Sequence, residues 1–61
     1  MTPKDMLDAL NAIGWSQADL GRRIKAHPNT ISGWATGSHP IPGSVEAYLR
    51  LVVAIKAVSV L

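Results

Sequence analysis

The sequence predicts an all-α protein: a small bundle of four or five helices, two of them short and joined by a tight turn. Three observations lead there. Apolar residues recur at helical spacing without strict alternation, so no strand is expected. Helix-start signals appear at Thr2-Pro3, at Ser16-x-x-Asp19 and at His27-Pro28. Gly14 and Gly37 stand where the first and third helices would stop. With 61 residues the chain forms one domain over residues 1–61.

The first helix reads TPKDMLDALNAIG. Thr2 can cap it, Pro3 suits the first helical position, and Asp5 complements the N-terminal dipole. Met6, Leu7, Leu10 and Ile13 mark its expected buried face, and Trp15 can fold back over its end. The second helix starts at Ser16, which forms a capping box with Asp19. Leu20 and Ile24 point inward. Gly21 between them costs about 1 kcal/mol relative to alanine, which suggests close approach of another helix backbone. A break follows at Lys25-Ala26-His27. Pro28 cannot sit inside a helix but suits its first position, so a third helix begins there with His27 as an imperfect cap. Ile31, Trp34 and Ala35 form its inner side and Gly37 ends it. Residues 37–43, GSHPIPG, are a loop by composition. The last helix begins near Pro42 to Ser44 and runs to about Ser59.

Composition excludes several function classes. The chain is 48% hydrophobic, although a domain this small buries only about 60% of its unfolded surface. Either the core is dense or apolar surface is covered by a partner. Without cysteine there is no disulfide or thiolate metal site, which fits a reducing cytoplasm and a cytoplasmic location. Asp5 and Asp8 argue against a secretory leader, and Arg50 and Lys56 interrupt the apolar tail, which is too short to span a membrane. Two histidines without an acidic or thiol cluster make no metal site. The serines lack a base and an acid, so no enzyme is expected, and neither is a cofactor or small-molecule ligand. Net charge is only +2, but Arg22, Arg23 and Lys25 gather around the second helix, with His27 and His39 near them.

Two short helices joined by a tight turn and packed through Leu20, Ile24, Ile31 and Trp34 make a helix-turn-helix. S16-Q17-x-x-L20-x-x-R23-I24 followed by T30-I31-S32-x-W34-x-x-G37 resembles the lambda-repressor-like (Cro/cI-type) helix-turn-helix family. The resemblance covers residues 16–37 closely and the flanking helices more loosely. It implies a DNA-binding domain whose third helix enters the major groove. Gln17 matches the position that binds a phosphate and buttresses that helix. Pro28, Asn29, Thr30, Ser32 and Gly33 match its exposed positions. Pro28 and Gly33 cannot read bases through side-chain hydrogen bonds, which leaves Asn29 as the base reader, its amide suiting adenine N6 and N7. Thr30 and Ser32 can reach bases or phosphates. Lys25 departs from the pattern, which often has glycine at this turn. Gln17, Arg22, Arg23, Lys25, Ser38 and His39 are the candidate phosphate contacts.

The last helix is too apolar for a one-sided element. Val45, Tyr48, Leu49 and Val52 cluster on one side. Leu51, Ile55, Val58 and Leu61 cluster beside them, with Ala47 and Ala54 alongside. The first cluster can close the core. The second is the candidate dimer interface, unless both fold into one broad core. The expected protein is a homodimeric DNA-binding repressor acting on an inverted-repeat operator, a minimal regulator of the kind that suits a phage or bacterial setting. The alternative is a protein-interaction module that kept the fold without specific DNA readout.

Overall fold

The structure, a computed structural model, describes residues 1–59. Its helices are α1 (Pro3–Ile13), α2 (Gln17–Ile24), α3 (Pro28–Thr36) and α4 (Gly43–Ser59). These four account for the fold among the described residues, so no fifth helix forms there. Leu61, expected at the dimer interface, lies outside the described residues.

Local chemistry sets the ends of the first three helices. The Thr2 hydroxyl accepts the Asp5 N–H while the Asp5 carboxylate accepts the Thr2 N–H, each at 3.1 Å. Ser16 and Asp19 repeat this box at 3.1 and 2.8 Å, satisfying two otherwise orphaned donors at the start of α2. At α3 the cap is His27, whose Nδ1 accepts the Asn29 N–H at 3.1 Å, and Pro28 takes the position where an N–H would have no partner. α2 ends on Lys25 at φ 57°, a left-handed conformation that costs a non-glycine residue roughly 1–2 kcal/mol. The turn overcomes that cost because the Lys25 and Ala26 N–H groups both close onto the Gly21 carbonyl.

The core consists of Met6, Leu10, Ile13, Leu20, Ile31, Trp34, Val45 and Leu49, with side chains from all four helices. α3 packs on both α1 and α2, and α4 packs on α1. No polar side chain is buried among the described residues, so the core is held by apolar packing, and the Met1 ammonium adds an ion pair to Glu46 of α4 at 3.3 Å.

Two expectations need correction. Leu7 is 40% exposed. The buried line of α1 runs through Met6, Leu10 and Ile13, and Leu7 lies a quarter-turn beyond it. The backbone approaching Gly21 belongs to the following turn rather than to another helix. A methyl at Gly21 would lie 3.1 Å from the Ala26 carbonyl oxygen and 3.6 Å from Ile31. On α4 the expected division is observed, and the alternative of one broad core is not. Val45 and Leu49 are buried, Tyr48, Val52 and Val53 are half-buried, and Leu51, Ile55 and Val58 are exposed.

Candidate nucleic-acid interface

Asn29, Ser32, Gly33 and Thr36 recur at i, i+3, i+4 and i+7 along α3, opposite the buried Ile31 and Trp34. This spacing puts them on one face, with Thr30 at its flank. Asn29, Thr30, Ser32 and Thr36 are all exposed. The face therefore offers one planar amide and three hydroxyls, uncharged, on a helix that two other helices hold.

Gly33 leaves a gap in that face, and His39 covers it. A methyl at Gly33 would come within 2.5 Å of the His39 ring. The loop is drawn back by the His39 N–H, which donates to the Gly33 carbonyl at 3.2 Å. The imidazole thus stands where a side chain at position 33 would stand. Ser38 joins the same end of the helix, its hydroxyl 3.0 Å from that of Thr36. Thr36 shares the exposed face, although it is not among the residues singled out from the sequence. Its i+7 spacing from Asn29 places it there.

Gln17 is exposed at the first position of α2. With Ala18 and Arg22 it forms one wall of a groove of about 370 Å³, whose other wall carries Ala26, Pro28 and Ile31. The groove brings the start of α2 beside the start of α3, so Gln17 and Arg22 share a rim with the exposed helix.

The basic residues divide. Lys25 is exposed at the turn. Arg22 is paired with Asp19. Donation from the Ser16 N–H, then hydrogen bonding to the Ser16 side chain, holds the Asp19 carboxyl below its ordinary 3.8, with a smaller contribution from Arg22. Asp19 thus stays ionised and keeps a negative charge beside one candidate phosphate contact. Arg23 lies on the other side of α2, its guanidinium 4.4 Å from the centre of the Trp15 ring. Trp15 in turn sits 6.2 Å from Tyr48 of α4. A cation held over an aromatic face is stabilised by about 0.5–1 kcal/mol at an exposed site, so Arg23 has a structural role away from α3.

The candidate dimer residues are 58% exposed at Leu51 and Ile55 and 69% at Val58. No group of acidic, histidine or cysteine side chains able to hold a metal occurs among the described residues, and none of their helices is long and apolar enough to cross a membrane. No protein family, curated protein or solved structure matches this chain.

Proposed function

We propose that the chain is a sequence-specific double-stranded DNA-binding regulator of lambda-repressor-like type, a homodimer that represses by occupying an inverted-repeat operator. The observation that supports this best is the uncharged hydrogen-bonding face of α3, held outward by a core on its opposite side. Base edges in the major groove present donors and acceptors that an amide and hydroxyls can match. Asn29 is the base reader. Thr30, Ser32 and Thr36 supply short donors and acceptors around it, and Gln17, Lys25, Ser38 and His39 approach the flanking phosphates. Arg22 reaches a phosphate once it leaves Asp19. The α4 residues Leu51, Ile55 and Val58 join two copies, which puts half-site centres about 34 Å apart along the duplex.

A second reading, a protein-interaction module without DNA readout, draws on Arg22 and Arg23, both engaged within the chain. Fluorescence anisotropy on labelled duplexes at several salt concentrations separates the two. The DNA reading expects affinity to fall linearly in log salt as phosphate counterions are released. No saturable binding at low salt would leave the interaction module standing.

A further inference from the structure

From Ala54 to Val58 every residue of α4 is exposed, whichever way it points. The last buried position is Leu49, and Val52 and Val53 are half-buried. α4 is 17 residues long, and the molecule measures 37 Å along its longest axis against 20 and 18 Å across. An apolar helix end with so little support from its own domain is marginal in water.

The exposed stripe has an order in it. Ala47, Leu51, Ala54 and Val58 follow one another at spacings of four, three and four, the seam of a helix that packs along a second helix. Their sizes alternate small, large, small, large. A parallel pairing in register sets each residue against its own copy, so two layers are alanine on alanine and two are large on large. An antiparallel pairing about a twofold axis level with the midpoint of Val52 and Val53 does the reverse. Ala47 then meets the partner's Val58, and Leu51 meets the partner's Ala54. Every layer joins a small side chain to a large one, which permits even, close packing.

We infer that a second copy of this chain covers α4, and that the two α4 helices pair antiparallel through alternating small and large layers centred between Val52 and Val53. This rests on the homodimer reading above and specifies its geometry. An isologous contact of this kind closes on itself, so assembly stops at two chains.

Cysteine cross-linking tests the geometry, and the chain has no native cysteine to confuse it. Ala47→Cys and Val58→Cys are made separately, since both positions are exposed, and circular dichroism checks that each variant is helical. The two are oxidised alone and as an equal mixture. In the antiparallel pair, position 47 lies about 16 Å along the axis from its own copy, at roughly 1.5 Å per residue. That is beyond disulfide reach, which ends near 7 Å between Cα atoms. The expected product is a mixed dimer linking positions 47 and 58, with little cross-linking of either variant alone. Efficient cross-linking of Ala47→Cys with itself would overturn the inference in favour of a parallel pair. Ala54→Leu is an independent check. Opposite the partner's Leu51 it overpacks the layer and should weaken association by roughly tenfold, whereas tighter association would overturn the pairing. Sedimentation of the unmodified chain separates the two levels. A dimer that gives no mixed cross-link refutes the antiparallel geometry alone, and a monomer at several hundred micromolar refutes the homodimer reading with it.

Discussion

The α2–α3 pair and the far half of α4 are built on opposite terms. In the pair, local chemistry sets each boundary: the Ser16–Asp19 box starts α2, Lys25 turns the chain, and His27 with Pro28 starts α3. Apolar side chains there are few; Leu20, Ile31 and Trp34 are buried, Ile24, Ala26 and Ala35 half-buried, and most polar ones face out. Beyond Leu49, α4 is apolar on faces that its own domain leaves exposed. The pair buries its apolar side within one chain, whereas the far half of α4 leaves Leu51, Ile55 and Val58 exposed.

That contrast can be broken at its strongest point first. Leu49 is fully buried where α4 meets the core. Leu49→Ala should cost about 2–5 kcal/mol, enough to unfold much of so small a domain, as seen by thermal circular dichroism. A variant with near-native stability would mean that α4 is not part of the folding unit.

On the α3 face, Asn29→Ala should weaken binding to the best site by about 1–3 kcal/mol and relax preference at one base pair. Gln17→Ala should instead weaken all duplexes evenly, because phosphates carry no sequence information. Equal loss on specific and random sites for Asn29→Ala would remove Asn29 as the base reader.

The caps come next. Ser16→Ala should lower stability by about 1 kcal/mol in urea denaturation. The same box predicts a pH dependence. Hydrogen bonding to Ser16 lowers the Asp19 pKa below 3.8, and hydrogen bonding to Thr2 does the same for Asp5. A carboxyl with a lowered folded pKa stabilises the fold above its ordinary value and loses that contribution as pH falls through the lower one. Stability should therefore decline below about pH 4, and the decline should be shallower in Asp19→Asn, which has no carboxyl to titrate. An identical acid limb in both proteins would detach the capping boxes from acid stability.

Least affected in its own folding is Ile55→Lys. Ile55 is exposed, so the isolated domain should change by no more than about 0.5 kcal/mol. Sedimentation should nevertheless show the variant as a monomer. A dimer that survives the charge would locate the contact elsewhere.

The boundaries of α1, α2 and α3 were legible in the sequence because short-range hydrogen bonds set them. Thr2, Ser16, Pro28 and Gly37 stand within a residue or so of the helix ends they mark. α4 was legible too, from its long apolar run after the Pro42-Gly43 break. What did not show depends on through-space contact. Leu7 shares a helical period with core residues, yet it falls outside the face that α1 buries. The covering of Gly33 by His39 joins residues six positions apart through a loop whose path has no local signature. The diversion of Arg23 to Trp15 depends on how α1 hands the chain to α2. Of the candidate site, the exposure of Asn29, Thr30 and Ser32 followed directly from helical spacing, whereas the division of the basic residues between α3 and Trp15 did not.

Whether α3 reads DNA is tested most directly by selecting bound sequences from a pool of random duplexes, with the unmodified chain and Asn29→Ala side by side. The proposed function predicts an enriched inverted repeat for the unmodified chain, with half-site centres about one helical turn, 34 Å, apart. For Asn29→Ala it predicts that the same repeat survives with one base pair in each half-site degenerate. A pool with no enriched sequence, or an Asn29→Ala motif identical to that of the unmodified chain, would contradict it.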